Sequence, residues 1–214
     1  MAFVCDALLF DLDGVLVDSR ALIERNWRRW AAKHDIPFEE VEALYHGRPS
    51  AEVIQTVAPH LDAEAEAQRR RDRATKDMTG LAPLDGAEAL LRSLPDGQWT
   101  IATSGTRQTA TARLSHVGLP QPDTLVTADD VEEGKPAPEP YRLAAQRLGV
   151  APEQCLVLED APVGVTAAHQ AGAHVIGVTA TSSADSLSDA EAVIQHPGEL
   201  RVTTTEQGAL RVTA

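Results

Sequence analysis

Long uninterrupted apolar runs are missing from this chain of 214 residues, although 43% of it is hydrophobic. No window approaches the roughly 20 residues that a membrane-spanning helix needs, and the N-terminus lacks the basic start and small-residue cleavage site of a secretory signal. A cytoplasmic protein without a membrane partner is expected. Cysteine is scarce: Cys5 and Cys155 both fall in apolar, strand-like stretches, where a thiol packs as a small hydrophobe, so neither a disulfide nor a metal role is expected. Positive charge is in deficit, with 19 Lys and Arg against 32 Asp and Glu and a formal net charge of -13. Such a surface repels nucleic acid and anionic membranes. A small phosphorylated molecule is not excluded, because a bound cation and one or two local positive groups reverse the potential inside a pocket. Lysine is rarer still, Lys33 and Lys76 being the only ones besides Lys135. Repeats and low-complexity tracts are lacking too, and the length suits one core plus a small second unit, with a monomer as the expected state.

What is present begins with "FDLDGVLVDS", Phe10 to Ser19, where a strand-like run ends in two carboxylates one position apart and breaks at Gly14. Alternate residues of an extended chain point to one side, so Asp11 and Asp13 converge and repel unless a cation or proton sits between them. From Arg20 the period changes: Ile23, Trp27 and Trp30 recur at helical spacing, and further helical stretches over about 39–45, 51–57 and 62–77 make 20–79 a nearly all-helical insert. Trp27 and Trp30 are expected in its core, and "RRRDR", Arg69 to Arg73, as a solvated face. Beyond it, strands "QWTIATS", "DTLVTA", "QCLVLED", "HVIGVT" and "EAVIQ" alternate with helices near 87–94, 108–117, 139–148 and 163–171, which implies a parallel sheet covered on both faces. The tail alternates at period two on either side of "EQG", a hairpin.

Ligands of an open parallel sheet bind beyond the carboxyl ends of its strands. Four polar clusters stand there: Asp11 with Asp13, Thr103-Ser104-Gly105, Lys135 a little past "TLVTADDVEEG", and Glu159-Asp160. Each alone is a weak signal; together they form one constellation. Asp11, Asp13 and Asp160 are hard oxygen donors suited to Mg²⁺. The Thr103 hydroxyl and the amides of Ser104 and Gly105 suit an anion at a helix start, with a plain helix cap as the equal alternative. Pro136 and Pro138 stiffen the chain around Lys135. A carboxylate can attack phosphorus to form an aspartyl-phosphate, and a neighbouring Asp can protonate the leaving oxygen and later deprotonate water.

The motifs "DLDGVLVDS", "TSG", "GKPAPEPY" and "EDAPVGVTAAHQAGA" resemble, in order and spacing, the four motifs of the haloacid dehalogenase superfamily, and "IATSGT", "LVTADDVEEGKPAPEPY" and "LEDAPVGV" resemble its sugar-phosphatase branch. The resemblance implies a Rossmann-like α/β core with a parallel sheet, residues 1–18 and 81–214, and a small all-helical cap, residues 19–80, inserted after the first strand. It implies Asp11 as nucleophile and metal ligand, Asp13 as acid/base with its main-chain carbonyl on the metal, Thr103 and Lys135 on the phosphoryl group, and Asp160 on Mg²⁺. Glu159 either reaches the metal through water or orients Lys135. The loop "YHGRPS" is the expected site of substrate recognition, through His46 and Arg48. The expected activity is Mg²⁺-dependent hydrolysis of a small phosphorylated metabolite, a sugar or polyol phosphate. A phosphomutase of the β-phosphoglucomutase type is the main rival; its cap histidine falls here at Ile23, and its cap Lys and Arg at His46 and Ser50, which favours water as acceptor. A phospho-receiver switch and an inactive binding protein are the non-enzymatic rivals, and the DxD spacing and helical insert speak against the receiver.

Overall fold

The chain starts with two short strands where one run was expected. In the computed structural model, which describes residues 1–45 and 48–214, β1 (Ala2–Cys5) and β2 (Ala7–Phe10) are parted at Asp6, whose amide donates to the Gln154 carbonyl at 2.7 Å. The two strands differ in burial. β1 is mostly exposed, whereas all four residues of β2 are buried, as the centre of a two-sided parallel sheet requires. The helical insert therefore follows β2, the first strand of the parallel sheet, as expected; β1 is an additional strand before it.

The insert runs from β3 (Val17–Asp18) through α1 (Arg20–Lys33), α2 (Phe38–Glu42), α3 (Ser50–Val57) and α4 (Ala63–Ala74) to β4 (Ala82–Pro83). β3 and β4 pair antiparallel, Val17 opposite Pro83, so the two connections run side by side. Strands of two residues are too short for periodicity to reveal. The four helices share an apolar cluster of their own, in which Trp27, Trp30, Val41, Val53, Ile54 and Ala67 are buried. Trp27 and Trp30 thus pack where their spacing placed them. Asp62 caps α4, its carboxylate accepting from the Ala65 amide at 3.1 Å. Glu66 stitches α4 to α1: the buried carboxylate accepts from Trp30 Nε1 at 3.1 Å and Arg69 at 2.5 Å, and lies 3.1 Å from His34 Nε2 and 3.4 Å from Lys33.

Strand and helix then alternate: α5 (Ala87–Ser93), β5 (Trp99–Ala102), α6 (Arg107–Val117), β6 (Leu125–Val126), α7 (Glu139–Leu148), β7 (Cys155–Glu159), α8 (Pro162–Ala171), β8 (His174–Val178) and β9 (Ala192–Ile194). Six strands form a parallel sheet in the order β6-β5-β2-β7-β8-β9. Successive side chains alternate faces: Leu8, Phe10, Ile101, Leu156 and Leu158 enter one core cluster, while Leu9, Ala102, Val157 and Val175 enter the other. Helices cover both. The expected hairpin exists as β10 (Arg201–Thr204) and β11 (Leu210–Thr213), but β1 joins it in a separate antiparallel sheet of order β1-β11-β10. This is the expected α/β architecture. β2 lies between β5 and β7, where the strand order reverses, and a crevice opens at its carboxyl end. No described helix is long and apolar enough to cross a membrane.

Candidate active site

Asp11 leaves β2 still laddered to β7, its amide donating to the Leu158 carbonyl at 3.0 Å. The chain turns at once through Gly14, whose φ of 82° lies in the left-handed region. A Cβ there would run into the Asp160 carboxylate and the Thr181 methyl. Glycine therefore serves two ends, the turn and the close approach of the fourth motif to the first.

Lys135 is the centre of the arrangement. Only 2% exposed, its Nζ donates to Asp11 Oδ1 at 2.6 Å, Glu159 Oε1 at 2.5 Å and the Ala102 carbonyl at 3.0 Å. Glu159 is saturated: Oε1 also accepts from Tyr141 Oη at 2.7 Å, and Oε2 from the amides of Asp160 and Ala161 at 2.9 and 3.2 Å. A Cβ at position 164 would collide with this carboxylate, so Gly164 is what lets α8 pass beside it. Asp130 anchors the loop leading to Lys135, accepting from Thr127 Oγ1 at 2.7 Å, Arg107 at 2.7 Å and Arg147 at 2.8 Å.

The electrostatics follow from burial. Desolvation pushes the Asp11 carboxyl up to about 7 against the pull of Lys135. It raises Asp160 as well, with Glu159 and Asp11 adding to the effect. Burial works to lower the Lys135 ammonium, but Asp11 and Glu159 outweigh it and hold it above the usual lysine range. Burial of the thiols also pushes Cys5 and Cys155 up to about 12, in keeping with cysteines that only pack.

Asp13 turns the other way and pairs with Arg113, a buried residue of α6. Asp13 Oδ1 and Arg113 Nε are both buried without a partner among the described residues. Thr103 Oγ1 accepts from the Gly105 amide at 3.1 Å. The cap of α6 is Thr106, whose side chain accepts from the Thr109 amide, so the helix-cap alternative for Thr103 to Gly105 passes to a different residue. Asp160 Oδ2 accepts from the Thr181 hydroxyl.

Asp11, Asp13, Thr103, Ser104, Gly105, Lys135, Glu159 and Asp160 all border one cleft of about 530 Å³ between sheet and helical insert. From the insert come Arg20, Ile23, Trp27, Arg48 and Arg70. Arg48 is exposed at its rim; His46, the other residue expected to recognise substrate, lies outside the described residues. Arg70 departs from the expected solvated "RRRDR" face: it is half-buried, with its guanidinium 3.3 Å from the Trp27 ring centroid. The helix brings this one arginine round to the tryptophan.

Sequence reasoning missed Arg113, Tyr141 and Thr181. For Arg113 a signal existed, since it stands on the buried stripe of α6 with Thr109, Ala110 and Leu114. A cation on an apolar face demands a partner. Tyr141 closes the quoted "GKPAPEPY" but shows its hydroxyl's target only in three dimensions. Thr181 follows β8 in a loop without local pattern.

Among the described residues no three His, Cys, Asp or Glu converge as a ready metal cage; Lys135 and Thr181 take carboxylate oxygens of Asp11 and Asp160. The donor set nevertheless fits a hard divalent cation. At the strand ends four carboxylates, Asp11, Asp13, Glu159 and Asp160, stand with two paired cations, Lys135 and Arg113, and an oxygen of Asp13 is buried unsatisfied.

A family model for haloacid dehalogenase-like hydrolases matches residues 5–172. The chain is 40% identical to hexitol phosphatase A of Escherichia coli (strain K12), over 95% of its own length and 97% of the relative's. It is 37% identical to validoxylamine A 7'-phosphate phosphatase of Streptomyces hygroscopicus subsp. limoneus, over 90% and 94%. Among solved structures, a hydrolase from Pseudomonas syringae superposes with a TM-score of 0.78 at 28% identity, covering 90% of this chain and 94% of the other. The chain belongs to the haloacid dehalogenase-like hydrolases.

Proposed function

We propose that this protein is a Mg²⁺-dependent phosphatase of small sugar or polyol phosphates, working through an aspartyl-phosphate on Asp11. The observation that carries the reading is the Lys135 ammonium clamped between Asp11 and Glu159, beside a second aspartate turned toward a different cation. The names of the relatives, hexitol phosphatase A and validoxylamine A 7'-phosphate phosphatase, support the substrate class.

Asp11 and Asp160 carboxylates and the Asp13 main-chain carbonyl would hold Mg²⁺, which when bound neutralises charge on the phosphoryl oxygens. Lys135 engages Asp11 Oδ1, which leaves the other oxygen to attack phosphorus. The Asp11 O–P bond forms as the ester O–P bond breaks, and Asp13 gives its proton to the leaving alkoxide. Asp13 then takes a proton from the water that attacks the aspartyl-phosphate, releasing phosphate and regenerating Asp11. Thr103, Ser104 and Gly105 hold the phosphoryl oxygens throughout, while the Lys135 ammonium, its three N–H donors engaged by Asp11, Glu159 and the Ala102 carbonyl, offsets their charge. Glu159, with every oxygen engaged by Lys135, Tyr141 and two amides, orients the lysine. Ile23 on the cleft wall has no group to activate a sugar hydroxyl, so water is the acceptor.

Phosphate release from a panel of hexose, hexitol, pentitol and glycerol phosphates tests this. Multiple turnovers with Mg²⁺, loss with EDTA and loss in Asp11→Asn are expected. Activity unaffected by metal removal, or conversion of a sugar 1-phosphate to a 6-phosphate with little free phosphate, overturns it.

A further inference from the structure

The helical insert turns four arginines toward the cleft, Arg20, Arg48, Arg70 and Arg71, against two acids, Glu52 and Glu64. In a chain of net charge -13 this wall is an exception. Arg70 differs from the other three in its environment. Its guanidinium stacks 3.3 Å from the Trp27 ring centroid, and Nη1 donates to the Asn26 carbonyl at 3.0 Å. Its Nε is buried without a partner, and among the described residues no carboxylate pairs with it. Burial penalises its charge, and Arg73 adds to the penalty. The guanidinium nonetheless stays protonated. A cation so placed is costly without a counter-charge, and the tryptophan face offsets only part of the cost.

We infer that Arg70 is a specificity-determining residue: stacked on Trp27, it receives an anionic group, a carboxylate or a second phosphate, at the end of the substrate remote from the phosphoryl group that is cleaved. A planar guanidinium presents paired N–H donors matched to two oxygens of such a group, whereas a hydroxyl leaves the charge uncompensated. The core and the helical insert then read opposite ends of one molecule. Asp11 and Lys135 act on one phosphoryl group, and Arg70 measures what lies at the far end of the cleft. The inference rests on the phosphatase reading above.

Three substrates of equal length separate the possibilities: a hexitol 6-phosphate with a neutral far end, a hexonate 6-phosphate with a carboxylate there, and a hexitol 1,6-bisphosphate. With Mg²⁺ present, the native protein is expected to favour at least one anionic-ended substrate over the hexitol phosphate by tenfold or more in kcat/KM. Which one it favours identifies the group. In Arg70→Gln that ratio is expected to fall to within about twofold of unity, mainly through KM, and Arg70→Lys should give an intermediate value. Thermal melting of each variant reports whether it folds, and the lysine variant carries the test if the glutamine one does not. A native preference for the neutral end, or an equal loss on all three substrates in Arg70→Gln, overturns the inference. Absence of phosphate release from any substrate by the native protein overturns the phosphatase reading instead.

Discussion

Asp13 and Arg113 form a pair that neither local sequence context suggests: one follows a strand in the first motif, the other lies ten residues beyond Thr103 on a helix. The contact fixes the carboxylate without burying it completely, its side chain being 22% exposed. In the proposed mechanism Asp13 gives a proton and later takes one, which needs a constant position. Arg113→Met is therefore expected to lower kcat by roughly tenfold to a hundredfold with KM changed little, and Arg113→Lys to restore part of it; steady-state phosphate release separates the two parameters. The residues that sequence placed at this site, Asp11, Asp13, Thr103 to Gly105, Lys135, Glu159 and Asp160, were legible because the ends of parallel strands converge whatever their separation along the chain. The partners of Arg113, Tyr141 and Thr181 were not, because the direction of a side chain from a helix face or a loop depends on how that element is rotated against the sheet.

At the scale of elements, α1 and α4 meet through apolar packing and through Glu66. Burial alone would raise this carboxyl, but the bonds from His34, Arg69 and Trp30 overcome it and hold the group at about 2, below the ordinary 4.5. The stabilisation is complete above about 4.5 and is lost as the pH falls toward about 2, because the unfolded chain takes up the proton first. Glu66→Gln leaves Lys33 and Arg69 without their counter-charge and is expected to cost about 2 kcal/mol at neutral pH. It should also flatten the acid side of the stability curve; thermal melting between pH 2 and 7 checks both. The helices themselves were readable from their period of 3.6, and the strands from their apolar runs. β3 and β4 were not, for a pairing of two residues against two has no periodicity to detect.

At the scale of the whole molecule, the insert reaches back across the cleft to the core. Pro49, just before α3, lies beside Gly134, where an added Cβ would stand 3.4 Å from the proline Cγ. Gly134 has no left-handed φ, so a larger residue there meets steric resistance from the insert and none from its own backbone. If the insert closes over substrate as a lid, Gly134→Phe is expected to raise KM at least fivefold while leaving the melting temperature within a few degrees of the native value. Steady-state kinetics and melting curves on the same preparation check this.

What the sequence by itself determined is the alternation of strand and helix, the parallel sheet and which polar residues gather at the strand ends. Those depend on local periodicity, on strand ends and on residue chemistry, all written along the chain. Tertiary structure alone decided that β1 joins the terminal hairpin, that Arg113 holds Asp13, that Glu159 is consumed in fixing Lys135, and that Arg70 leaves its charged neighbours for Trp27. In each case the partners lie far apart in sequence, and only packing in three dimensions sets which of several nearby polar groups a buried charge must meet.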